Sequence, residues 1–147
     1  MAIASRRAET VWEGDLARGA GTVSGQSGAI GPLPVTWAAR TEEPGGKTSP
    51  EELAAAAHSS CFSMALALRL AEHGHPSERM TVASTVTLDE VDGVPTVVSS
   101  EIDVSARVPG LDRSGFDAAV DEAAQLCPIS RLFAGATVTV RADLAQD

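Results

Sequence analysis

Apolar positions are densest between Leu53 and Leu68, where sixteen consecutive residues include no Asp, Glu, Lys or Arg. Leu53, Ala57, Cys61, Met64 and Leu68 fall on one helical stripe, and Phe62, Leu66 and Leu70 on another. The spacing predicts a helix that is apolar nearly all round and needs protein on most sides. Both ends are marked. Ser49 suits the N-cap, Pro50 the first helical position, and Glu52 completes a capping box. Arg69 and His73 suit the negative end, and Gly74 a left-handed C-terminal residue. With His58, Ser59, Ser60 and Ser63 inside it, the segment is a poor membrane span.

Elsewhere the pattern has period two. Residues 7–13 predict a strand with Trp12 facing inward, 14–21 a polar turn carrying Asp15 and Arg18, and 22–24 a short second strand. Residues 33–38 predict a third strand with Val35 and Trp37 on one face, and 40–48 a loop. Beyond the helix, Met80 to Asp89 alternates, Asp92-Gly93 signals a hairpin turn, and Thr96 to Val108 returns with Val98, Ile102, Val104, Ala106 and Val108 inward. Asp112 to Leu126 predicts a second helix, capped by Asp112 or Ser114, with Phe116, Ala119, Val120, Ala123 and Leu126 on its apolar side. Cys127 faces the core, and Pro128 biases it out of helix geometry. A short helical turn to Leu132 and a last strand over 137–144 complete the chain. This order predicts an α+β fold, helices against antiparallel sheets with one long central helix.

At 147 residues the chain is sized for one domain with a real core. Its apolar fraction of 44% and charged fraction of 21% are those of a soluble globular protein. The net charge of −9 argues against nucleic acid or an anionic membrane as partner. No secretory pattern opens the sequence, so a cytoplasmic location is expected. Two cysteines are too few for a secreted disulfide scaffold.

Those cysteines carry the candidate chemistry. Cys61 and Cys127 are 66 residues apart, and their thiols meet if both helices pack on one core. They read as buried packing residues, as a redox pair, or, with His58, as a partial Zn²⁺ site that lacks a convincing fourth ligand. A redox role has a physical requirement. A thiol in an apolar helix is inert unless a positive neighbour ionises it, and mid-helix the dipole gives little help. Arg18 and Arg40 are the candidate cations. Such an arginine needs a carboxylate to hold it, and with Glu52 engaged in the cap, Glu51 is free.

Four stretches, WEGDLARGAGTVSGQSG (12–28), TSPEELAAAAHSSCFSMAL (48–66), VPGLDRSGFD (108–117) and CPIS (127–130), together resemble the OsmC/Ohr family, osmotically inducible protein C and organic hydroperoxide resistance proteins, and the OsmC branch in particular. The resemblance covers the chain from end to end. It implies a single OsmC-like domain over 1–147 and an intertwined α+β homodimer with sites at the subunit interface. The implied activity is a thiol-dependent peroxidase that reduces organic hydroperoxides and hydrogen peroxide in oxidative or osmotic stress defence. An external dithiol would be its reductant, and no cofactor, metal, nucleic acid or membrane partner is implied. The peroxidatic cysteine maps onto Cys61, the resolving one onto Cys127, and the family glutamate onto Glu51. The family arginine maps onto Arg18 in GDLARGAG or onto Arg40, whose surroundings match the OsmC branch.

Glu51 and Cys61 are ten residues apart, about 15 Å of rise on a straight helix, which a glutamate side chain does not bridge. Either the helix starts later or the glutamate comes from the other subunit, which predicts an obligate dimer. His58 reads as a hydrogen-bonded core or interface residue, with a base role as the alternative. Two rival functions remain: a small-ligand binding module with packing cysteines, and a cysteine hydrolase using His58.

Overall fold

A computed structural model describes residues 1–145 of the chain. They group into two compact units, Met1–Leu53 and Ala54 onward.

The first unit holds a three-stranded antiparallel sheet in the order β1-β2-β3: β1 (Ala8–Glu13), β2 (Ala20–Gly25) and β3 (Leu33–Val35). Val23 and Gly21 of β2 are buried, whereas every residue of β1 is exposed. Trp12, expected inward, is 39% exposed, because no layer covers its strand within this unit. The third strand ends earlier than its sequence predicts. Thr36 is extended and its hydroxyl accepts the Ala39 N–H at 3.1 Å, so it caps a short helix, α1 (Trp37–Thr41). Trp37 and Arg40 therefore stand on a helix rather than on a strand and in a loop.

The long helix α2 runs Pro50–Glu72, 23 residues. Ser49 Oγ accepts the Glu52 N–H at 3.1 Å, as the cap predicts. The Glu52 carboxylate does not close the capping box. It accepts from Thr48 Oγ1 at 2.6 Å, another hydroxyl within reach of the same helix end. Gly74 ends the helix at φ 81°, with its N–H on Ala71 O and the His75 N–H on Leu70 O, a Schellman stop.

In the second unit α2 packs its Phe62–Leu66–Leu70 stripe, fully buried, with Phe116, Ala119 and Ala123 of α3 (Arg113–Leu126) and Ile102, Val104 and Ala106 of a second sheet. Asp112 caps α3, accepting the Gly115 N–H at 2.8 Å. That sheet is built on the predicted hairpin, β4 (Arg79–Val91) and β5 (Val94–Arg107), turning at Asp92-Gly93 with φ 51° and 79°. Both central residues at positive φ give the twist that a two-residue hairpin needs. β6 (Thr137–Leu144) joins β5 in parallel, unlike the antiparallel pairing expected throughout. The reason is the connection: α3 and α4 (Pro128–Leu132) carry the chain back to the end where β5 began. On the other stripe of α2, Cys61 is half-buried against this core, whereas Met64 is 73% and Leu68 51% exposed.

Candidate functional site

Two constellations stand out, one in each unit. In the second, Cys61 is half-buried on α2 and Cys127 is fully buried where α3 ends. Both are free thiols, and they interact directly. Cys127 is extended (φ −62°, ψ 113°), as Pro128 dictates, and Pro128 opens α4. Burial pushes the Cys61 thiol up, the Ile129 backbone N–H works against that, and the neighbouring Cys127 raises it again. None of these influences is a cation, so nothing in them ionises Cys61.

The second constellation, in the first unit, is built on an arginine. Arg40 Nε donates to both Glu51 oxygens at 3.0 and 3.1 Å, and Nη2 donates to Oε1 at 2.7 Å. The Arg40 guanidinium also lies over the Trp37 ring, 5.9 Å from its centroid. It borders a largely apolar cavity of about 350 Å³ that Thr10, Trp12, Val23, Val35 and Trp37 help to line. Arg18 takes no part in this. It sits in the β1–β2 turn, where its N–H is bound by Asp15 Oδ1 at 2.8 Å and, among the described residues, its side chain forms no ion pair. The structure thus pairs Cys61 with Cys127 and Arg40 with Glu51.

His58 is fully buried between two hydroxyls, with Nδ1 2.6 Å from Ser100 Oγ and Nε2 2.8 Å from Ser130 Oγ. Burial pushes its pKa down, so the neutral ring is favoured. With both nitrogens engaged it has no lone pair left for a metal, and no cluster of three or more metal-ligating side chains occurs among the described residues. Sequence reasoning missed Ser100 and Ser130. Ser100 was readable, since it lies on the inward phase of β5 between Val98 and Ile102.

The model of the family described as OsmC-like protein matches residues 43–142. Peroxiredoxin OsmC of Escherichia coli is 39% identical over 127 residues, 86% of this chain and 88% of that protein. The chain belongs to the OsmC family. An organic hydroperoxide resistance protein of Xanthomonas axonopodis is 29% identical over 94 residues, 62% of this chain and 63% of that one. Among solved structures, OsmC of Legionella pneumophila aligns with TM-score 0.72 at 24% identity, covering 99% of this chain and 100% of that one. An OsmC-like protein of Mycoplasma pneumoniae reaches 0.77 at 11%, with the same coverage. These two establish the OsmC fold alone: α+β, with two small sheets and a long helix.

Proposed function

We propose that this OsmC-family chain forms one domain and acts, as a cytoplasmic homodimer, as a two-cysteine thiol peroxidase for organic hydroperoxides and hydrogen peroxide. The reading fits the names of its relatives, peroxiredoxin and organic hydroperoxide resistance protein. The observation that carries it is the pair of reduced, adjacent thiols at Cys61 and Cys127.

The missing charge comes from Arg40 of the partner subunit, held by its own Glu51. Two features support this. α2 already begins at Pro50, so a later helix start does not bring Glu51 toward Cys61. The bare Met64–Leu68 stripe is the kind of surface a second copy covers. Beside the guanidinium, the Cys61 thiolate attacks the distal peroxide oxygen. The O–O bond breaks, sulfur becomes the sulfenic acid, and the alkoxide leaves as alcohol with a proton. Cys127 then displaces hydroxide from that sulfur, giving the disulfide and water. An external dithiol exchanges with the disulfide and restores both thiols. The apolar cavity beside Arg40 would take the organic part of the substrate.

Peroxide added to the purified protein should convert two free thiols to none. Cys61→Ser should lose all peroxide consumption, and Cys127→Ser should over-oxidise at Cys61. If both variants consume peroxide like the parent, the cysteines are packing residues and the cavity belongs to a small-ligand binding module.

A further inference from the structure

The thiol pair is not the sole bridge between α2 and the α3–α4 corner. His58 precedes Cys61 by one helical turn, and Ser130 follows Cys127 by three residues. Their contact, Nε2 to Oγ at 2.8 Å, is a second rung beside the sulfurs. The imidazole is itself fixed. Nδ1 meets Ser100 Oγ at 2.6 Å, Ser100 meets Ser84 Oγ at 3.0 Å, and the ring leans on Phe133 with centroids 5.1 Å apart. His58 and Ser100 are both fully buried, so the bond between them faces no competition from water, and Ser130, half-buried, closes the outer side of the ring.

α4 needs such a hold. It has five residues, no side-chain cap at Cys127, and a proline at its start, too little to be stable alone. Yet it sets two positions that matter: Cys127 at its N-cap, and the Ile129 N–H that acts on Cys61.

We propose that His58 is a positioning residue for disulfide closure: through Ser130 it keeps the Cys127–Pro128 turn seated, so that Cys127 reaches the Cys61 sulfenic acid before a second peroxide does. This rests on the thiol-peroxidase reading above. In the step concerned, an S–S bond forms, the S–O bond of the sulfenic acid breaks, and the departing hydroxide leaves as water with the Cys127 proton. In the competing step a second hydroperoxide transfers oxygen to the sulfenic acid, giving sulfinic acid and alcohol. His58 exchanges no proton in either.

The test is rapid-quench mass spectrometry of the full chain with tert-butyl hydroperoxide, comparing the parent with Ser130→Ala, His58→Gln and His58→Leu. In Ser130→Ala the first oxidation of Cys61 should stay within about twofold of the parent, while disulfide closure slows about tenfold and sulfinic acid accumulates. His58→Gln, which keeps an amide able to face Ser130, should recover part of the closure rate; His58→Leu should not. Ser130→Ala closing the disulfide as fast as the parent overturns the inference. So does an equal loss of both steps together with thermal stability, which marks ordinary packing. A parent that consumes peroxide without ever joining Cys61 to Cys127 sinks the two-cysteine reading and takes this inference with it.

Discussion

Arg40 and Glu51 are locked together by three hydrogen bonds of 2.7–3.1 Å, on a carboxylate only 12% exposed. Glu51 stands in the first turn of α2, where the helix dipole favours a negative charge, so it is the fixed half of the pair. The guanidinium also rests on Trp37, and a lysine reproduces neither the fork nor the stacking. Arg40→Ala should lower peroxide consumption about a hundredfold, and Arg40→Lys should regain only part of that. Steady-state peroxide loss with a dithiol donor checks it; two variants as fast as the parent would remove Arg40 from the chemistry.

Arg40→Ala and Cys61→Ser should complement each other. If Arg40 acts across the dimer, a reassorted mixture places an intact arginine beside an intact cysteine in half of the dimers. Activity should return to about a quarter of the parent's, since each mixed dimer regains one of two sites. An arginine acting within its own chain restores nothing in the same experiment.

Burial raises the Cys61 pKa, and the proposed cation opposes that rise. Removing the cation should therefore move the midpoint of Cys61 alkylation to higher pH. Below its midpoint the rate falls about tenfold per pH unit, so at neutral pH the variant should react more slowly. Iodoacetamide rates across pH, with and without Arg40→Ala in a Cys127→Ser background, give the direction. A midpoint unchanged by Arg40→Ala would mean that the thiol is set by its own unit alone.

His58 is buried as a neutral ring, with its pKa below the ordinary imidazole value. The unfolded chain takes up its proton near pH 6.5 and the folded chain does not. Stability owed to the neutral ring is therefore complete above about pH 6.5 and is lost as pH falls toward the lowered folded value. Urea unfolding of the parent and His58→Gln should show a stability gap that narrows on acidification through that window.

Phe116 is fully buried among α2, α3 and β5 residues of one core. Phe116→Ala should cost about 3–5 kcal/mol, read from the urea midpoint, because the surrounding helices and sheet refill only part of the void. A loss under about 1 kcal/mol would mean that the core collapses freely around the gap.

The β4–β5 hairpin was legible because two constraints agreed: alternation along both arms and an Asp-Gly turn, a strong short-range signal of a tight hairpin. The direction of β6 was not, since alternation gives the face of a strand and not the sense in which it pairs. Trp37 misled for a similar reason. It continues the alternation of Val35, and the hydroxyl of Thr36 turns the chain into a helix before that alternation can matter. Glu51 followed from assigning Glu52 to the helix cap, while the arginine stayed open between Arg18 and Arg40; the structure pairs Glu51 with Arg40 although Glu52 bonds Thr48 instead. The seat of His58 needed three segments far apart in sequence, and no local pattern announces such a meeting.

Trp12 and Trp37 are the only tryptophans, they border the same cavity, and the chain has no tyrosine. Its ultraviolet emission is therefore a private signal of the first unit, with the two thiols of the second unit optically dark. Any change in colour or brightness after the thiols are oxidised would be news that has travelled between the two, visible without a dye or a label.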